Sequence, residues 1–137
     1  MSFAQFFQDN LFLFILFFAA VIGIIIYEIK HKGSNGVVIN NVLCAQKLNN
    51  GALLFDLRSY DDFKRGHIAG ARQVSTDQLL ASVAKLSKGK DQEIIICDKD
   101  GYSCKAQAAS LVSAGYRQVY TLQYGMSGWF GDSLPVV

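Results

Sequence analysis

Glu93-Ile94-Ile95-Ile96-Cys97-Asp98-Lys99-Asp100-Gly101-Tyr102-Ser103-Cys104 passes from an unbroken apolar run straight into a polar, glycine-containing one. Three β-branched residues and a cysteine, with no polar alternation, predict a strand buried on both faces, as inside a parallel sheet. Asp98 to Gly101 predicts the loop at the carboxyl end of that strand. From about Ser103 to Ala114 the pattern is helical, and Gly115 is a good C-terminal stop.

The alternation continues in both directions. Towards the C-terminus, Val119 to Leu122 predicts the last strand, and a short helix is expected around Trp129. Towards the N-terminus, Val37 to Ile39 predicts a short strand. Asn40 is placed to cap a helix reaching about Leu48, with Val42, Leu43 and Leu48 on its inner face. Ala52 to Phe55 predicts a strand ending at Asp56-Leu57-Arg58, and Ser59 to Arg65 a short polar helix halted at Gly66. Gln73-Val74 predicts a brief strand. Ser75 or Thr76 then caps a helix to about Leu86, with Leu79, Leu80, Val83 and Leu86 inward. Such alternation implies an α/β fold, a mainly parallel sheet with helices on both faces. Sites in these sheets lie at the carboxyl ends of strands. The candidate loops are therefore Asp56-Leu57-Arg58 and Asp98-Lys99-Asp100-Gly101.

The chain has 137 residues, enough for one ordinary domain and a short extra segment but not for a multidomain enzyme. Its apolar residues concentrate in Asn10 to Tyr27, NLFLFILFFAAVIGIIIY, which carries no charge. Roughly a hundred residues of ordinary soluble composition remain, enough for a core without staples. Disorder, collagen-like repeats and multiple membrane passes are excluded. A net charge of +2, with no basic run and no interleaved aromatics, argues against nucleic acid.

Asn10–Tyr27 is near the minimum for a membrane-spanning helix, at roughly 1.5 Å per residue against an apolar layer about 30 Å thick. It is apolar all round, unlike a core helix with a polar stripe. Phe6, Phe7 and Tyr27 extend it towards the interface. Met1 to Asp9 holds no Lys or Arg, and Tyr27-Glu28-Ile29-Lys30 makes a poor cleavage site, so an uncleaved transmembrane anchor is expected. Lys30 and Lys32 follow the run, which places the N-terminus outside and the rest in the cytoplasm. The expected organisation is an anchor with flanks at 1–32, a linker at 33–36 and a domain at 37–137, in a bacterial inner membrane. The expected partners are the lipid bilayer, through residues 10–27, and a membrane-associated protein. Cys44, Cys97 and Cys104 form an odd set, unlike a secreted disulfide framework.

Asp56-Leu57-Arg58, Phe63 and Gly66-His67-Ile68-Ala69-Gly70-Ala71 precede the apolar strand Ile94 to Cys97, its glycine loop and an alanine-rich helix. Gly115-Tyr116, Val119, Gly125, Trp129 and Leu134-Pro135-Val136 follow. This ordered series resembles the rhodanese-like family over about residues 36–137, and Gly66 to Ala71 looks like its GHIxGA motif. By themselves these residues have structural uses. His67 reads as a satisfied loop histidine and Trp129 as a packing anchor. Asp56 and Arg58 read as a hydrogen-bonded pair tying loops together.

The resemblance implies chemistry at a loop written C-x-x-G-x-R-S in active members. Its Cys takes a sulfane sulfur as a persulfide, in a cradle of backbone N–H groups at a helix start. Aligned on Gly101 without a gap, Asp98 falls at the Cys position, Ser103 at the Arg and Cys104 at the Ser. Asp cannot form a persulfide. This implies a degenerate loop, Asp98, Lys99, Asp100, Gly101, Tyr102 and Ser103, that serves to recognise a partner protein. The alternative is a sulfurtransferase or sulfur carrier using Cys104 or Cys97. Cys104 is expected in the first turn of a helix, where the dipole lowers a thiol pKa. Cys97 is either the nucleophile of a loop one residue longer or the last buried residue of its strand. Family members with the longer loop end it in an Arg that binds phosphate, and none is present here. Cys44 is expected in the core. With no CxxC pair, no complete calcium loop and no phosphate-binding GxxxxGK[ST] segment, no metal, nucleotide or other cofactor is expected.

Overall fold

The structure, a computed structural model, describes residues 2–31 and 36–137, excepting the side chains of 28–31. It divides into two units, Met1–Lys32 and Gly33–Val137. The expected linker at 33–36 lies outside the described residues apart from Gly36.

The first unit holds α1 (Phe3–Asp9) and α2 (Leu11–His31). Ser2 caps α1 by accepting the Gln5 N–H. Asn10 ends it, with Nδ2 donating to the Phe6 carbonyl at 2.9 Å. The axis turns by 75° between α1 and the Leu11–Tyr27 part of α2. The apolar run Asn10–Tyr27 thus begins at a cap, and Phe7 packs across the bend on Phe14 with ring centroids 4.9 Å apart. Among the described residues no single helix is long and apolar enough to cross a membrane; α1 and α2 meet that requirement only together, as a bent pair.

In the second unit, the apolar runs form a five-stranded sheet: β1 (Val37–Ile39), β2 (Leu53–Asp56), β3 (Arg72–Gln73), β4 (Glu93–Cys97) and β5 (Gln118–Leu122). Every neighbouring pair is parallel, in the order β1-β5-β4-β2-β3. β4 lies in the middle, so Ile94 to Cys97 are buried on both faces. α5 (Leu79–Leu86) and α6 (Lys105–Ser113) cover one face, bringing Leu79, Val83, Cys104, Ala108 and Leu111 against Phe55, Ile94, Ile96 and Val119. α3 (Asn41–Asn49) and α7 (Gly125–Gly131) cover the other, bringing Cys44, Met126 and Trp129 against Ile39, Leu54, Ile95, Cys97 and Leu122. α4 (Tyr60–Arg65) is capped by Ser59, with Asp61 and Asp62 at its start and Lys64 and Arg65 at its end, each sign matching the helix dipole.

Three expectations are corrected. Asn40 does cap α3, accepting the Leu43 N–H at 2.8 Å, but Val42 and Leu43 point outward. At about 100° per residue, they lie on other sides of the helix from Cys44, which is the residue that reaches the sheet. Leu80 likewise turns out of α5, beside the inward pair Leu79 and Val83. The brief strand is Arg72–Gln73, because Val74 leaves the sheet edge to join the core.

Candidate functional site

β4 delivers its last residue, Cys97, opposite Asp56 of β2, and the chain then turns at Asp98. Asp98 is only 3% exposed. Its carboxylate points into its own loop: Oδ1 accepts the Gly101 N–H at 2.6 Å and Oδ2 accepts the Cys104 N–H at 3.0 Å. Those amides lie at a strand end and a helix start, where an anion is favoured. Here the anion is a side chain of the loop itself. Asp100 makes a smaller turn of the same kind, Oδ1 accepting the Tyr102 N–H at 2.9 Å. That amide bond holds the Asp100 carboxyl below the usual range, against slight desolvation.

The loop is fastened from below by the start of α7. The Asp98 carbonyl accepts the Met126 N–H at 2.8 Å, and the Lys99 carbonyl accepts both the N–H and the hydroxyl of Ser127, at 3.0 and 2.8 Å. Tyr124 precedes α7 in the left-handed region at φ 60. Gly125 is also left-handed, at φ +55, and a Cβ there would stand 2.5 Å from the Asp98 carbonyl oxygen and 2.9 Å from the Asp100 nitrogen. Tyr124, Gly125 and Ser127 were not foreseen as site residues. The signal available was a Tyr-Gly pair one residue beyond the last strand, at the edge where β4 also ends.

The three thiols are free and buried. Cys104 stands at the N-cap of α6, where a lowered pKa was expected, yet its pKa is pushed up to about 12. Burial is the main cause, and the negative charge of Asp98 adds to it. Cys97 is raised well above its ordinary value by burial and by Asp56, with Arg58 opposing. Burial alone raises Cys44 to about 11. Cys97 packs in the core beneath α3 and α7, and Cys104 in the core beneath α5 and α6, on opposite faces of the sheet.

The residues expected to support the site form a separate tie. Asp56 Oδ2 accepts from Arg58 Nη2 at 2.8 Å, Arg58 Nε lies 3.1 Å from both carboxylate oxygens, and Nη2 also donates to the Gly66 carbonyl at 2.8 Å. His67 donates from Nδ1 to the Phe63 carbonyl at 2.8 Å and stacks on the Phe63 ring. Its backbone N–H and carbonyl pair with Val137. Trp129 is buried and donates to the Pro135 carbonyl at 3.1 Å. At the outer surface of the loop, Lys99, Asp100, Tyr102 and Ser103 are exposed, and Lys105 Nζ sits 5.0 Å from the Tyr102 ring centre. Among the described residues, no three His, Cys, Asp or Glu gather as metal ligands.

A parallel sheet with the loop after β4 closing onto a helix start is an arrangement that α/β domains share, and the family model for the rhodanese-like domain matches residues 42–132. The chain belongs to the rhodanese-like family. It is 34% identical over 135 residues to the uncharacterized protein YibN of Escherichia coli (strain K12), an alignment spanning 97% of this chain and 94% of that one. It is 33% identical over 81 residues to the thiosulfate sulfurtransferase GlpE of Stutzerimonas stutzeri (strain A1501), covering 59% of this chain and 72% of that one. Among solved structures, the polysulfide-sulfur transferase homodimer from Wolinella succinogenes superposes with a TM-score of 0.64 at 19% identity, over 81% of this chain and 86% of that one, a likeness of fold.

Proposed function

We propose that the chain is a membrane-anchored rhodanese-like module that binds a partner protein through the face around residues 98–104, without ordinary sulfurtransferase chemistry. Asp98 carries this reading. Its carboxylate takes the Gly101 and Cys104 amides that would otherwise steady a sulfur anion. Buried thiols with raised pKa values support it, because the thiolate is the form that attacks sulfur. Partner contact then falls to the exposed Lys99, Asp100, Tyr102 and Ser103, since Asp98 is buried. The anchor is supported by the uncharged run Asn10–Tyr27, whose large side chains are mostly exposed. Lys30 and Lys32 support a cytoplasmic domain, at a bacterial inner membrane.

The similarity to GlpE favours a second reading, sulfur transfer on Cys104 or Cys97. In that step a thiolate attacks the sulfane sulfur of thiosulfate, the S–S bond breaks, sulfite leaves and a persulfide remains. The test is intact-mass spectrometry of the reduced full chain in detergent after thiosulfate, with Cys97→Ser and Cys104→Ser in parallel. No added sulfur is expected. One added sulfur atom, lost in only one of the variants, would overturn the proposal and identify the carrier thiol. Anchoring is tested separately by carbonate extraction of membranes; release into the soluble fraction would overturn that part alone.

A further inference from the structure

On the side of the sheet covered by α3 and α7, the surface folds into a cavity of about 620 Å³. Leu48, Ile68, Trp129 and Leu134 line it, and all four belong to the core layer on that side. One wall is the chain that follows α7. Ser133 turns this chain back at φ 53, in the left-handed region, and the Leu134 N–H donates to the Trp129 carbonyl at 3.3 Å. Val137 exchanges two backbone hydrogen bonds with His67, at 2.9 and 3.2 Å. The wall is thus tied at both ends by the fold itself. A mostly apolar hollow of roughly 300–1,000 Å³ with a few polar groups is what small-molecule sites look like.

The cavity's charge selects its occupant. Asp132, exposed, is the one charged side chain among the described lining residues, and no Lys or Arg is there to balance it. Asn41, also in the lining, donates from Nδ2 to Asp132 Oδ2 at 2.7 Å and to the Gly128 carbonyl at 3.4 Å. What is left over accepts. Asp132 Oδ1 takes no hydrogen bond from the described residues, and Asn41 Oδ1 is buried without a partner. The Trp129 indole N–H is already engaged by the Pro135 carbonyl. An unbalanced carboxylate beside an unpaired carbonyl dipole favours positive charge and repels anions. We infer that this cavity binds a small apolar amine, its body against Leu48, Ile68 and Leu134 and its ammonium donating to Asp132. Hydrogen bonds from an ammonium to a carboxylate are roughly twice as strong as neutral ones, so charge decides between ligands of one shape. The inference does not rest on the partner-binding loop, which is fastened by the start of α7, whereas the cavity uses its end.

Trp129 is the sole tryptophan, so the full chain labelled at its indole nitrogen gives one indole N–H resonance, at the wall of the cavity. The test follows that resonance in nanodiscs of zwitterionic phospholipid during titration with phenethylamine, phenethyl alcohol or hydrocinnamate, three probes of one shape and different charge. Phenethylamine is expected to shift it saturably, with a half-saturation roughly tenfold below that of the alcohol, and hydrocinnamate to leave it unmoved. Asp132→Asn should bring the amine to the level of the alcohol. Ala45→Phe, at an exposed position in the lining, should abolish the shift with every probe while the urea midpoint stays unchanged. No saturable shift with phenethylamine, or equal affinity for the alcohol or the acid, would overturn the inference. So would a shift that survives Ala45→Phe, since the amine would then bind elsewhere. A peptide, acetyl-Phe-Leu-Lys amide, that shifts the resonance where phenethylamine does not would give the cavity to a lysine of a partner protein and overturn the free amine.

Discussion

Asp98→Asn keeps the shape of the side chain while removing its charge and one acceptor. The amide oxygen can hold either the Gly101 or the Cys104 N–H, and its NH2 then faces the other donor. A charge-assisted hydrogen bond contributes about 1.5–3 kcal/mol, and a buried donor left unpaired costs about 1–3 kcal/mol. Relief of a buried charge offsets part of this. The expected net loss is about 2–4 kcal/mol. Trp129 is the sole tryptophan and is buried, so its fluorescence reports unfolding of this domain in urea, with the full chain in detergent. With a slope of roughly 2 kcal/mol per molar urea, the midpoint should fall by about 1–2 M. Asp100→Asn, at an exposed carboxylate, is the control and should stay within about 0.5 kcal/mol of the parent. Asp98→Asn should also quicken alkylation of Cys104, because the Asp98 charge helps to hold that thiol protonated. Two variants of equal stability and unchanged alkylation would refute the role given to Asp98.

Arg58→Met strands the fully buried Asp56 carboxylate and should cost about 3–5 kcal/mol in the same urea assay, with part regained in the double variant Asp56→Asn, Arg58→Met. Gly125→Ala forces a Cβ against the Asp98 carbonyl at a left-handed position and should cost about 2–5 kcal/mol, visible as a lowered midpoint and faster hydrogen exchange at the Gly101 amide. Stability should fall in alkali. Cys44 and Cys104 have pKa values raised to about 11 and about 12 from an ordinary 9.0, so the folded state keeps protons that the unfolded chain loses. Their contribution is complete below pH 9.0 and disappears as pH climbs towards those raised values, at about 1.4 kcal/mol per pH unit for each thiol. Urea midpoints between pH 8 and 11 would check it, and Cys104→Ala should flatten the decline.

The elements that carry the sheet were plain in the residues because their causes are local. The run Ile94 to Cys97 has no polar face, so it belongs in the middle of a sheet. Asn40 and Ser59 announce helix starts by their side-chain oxygens, and both accept the expected amides. The partnership of Asp56 with Arg58 follows from opposite charges two residues apart at a strand end. What could not be read locally was direction. Two aspartates in a polar loop suggest charge presented to a partner, but Asp98 turns inward because Gly101 and Cys104 offer it amides. Cys104 stands at the helix start as expected, yet burial outweighs the dipole at its thiol. The fastening of the loop by Met126 and Ser127 joins residues almost thirty positions apart, beyond the reach of spacing arguments.

The pairing of β1 with β5 also sets a timetable. Val37 meets Tyr120, so the opening strand has no place to settle until nearly the whole chain exists. At roughly 5–20 residues per second on the ribosome, the intervening stretch takes on the order of 4–17 seconds to make. The apolar helices α1 and α2 precede β1 and are already made when that interval begins. The last strand to be synthesised is thus the one that pairs with the first, and the sheet closes only near the end of synthesis.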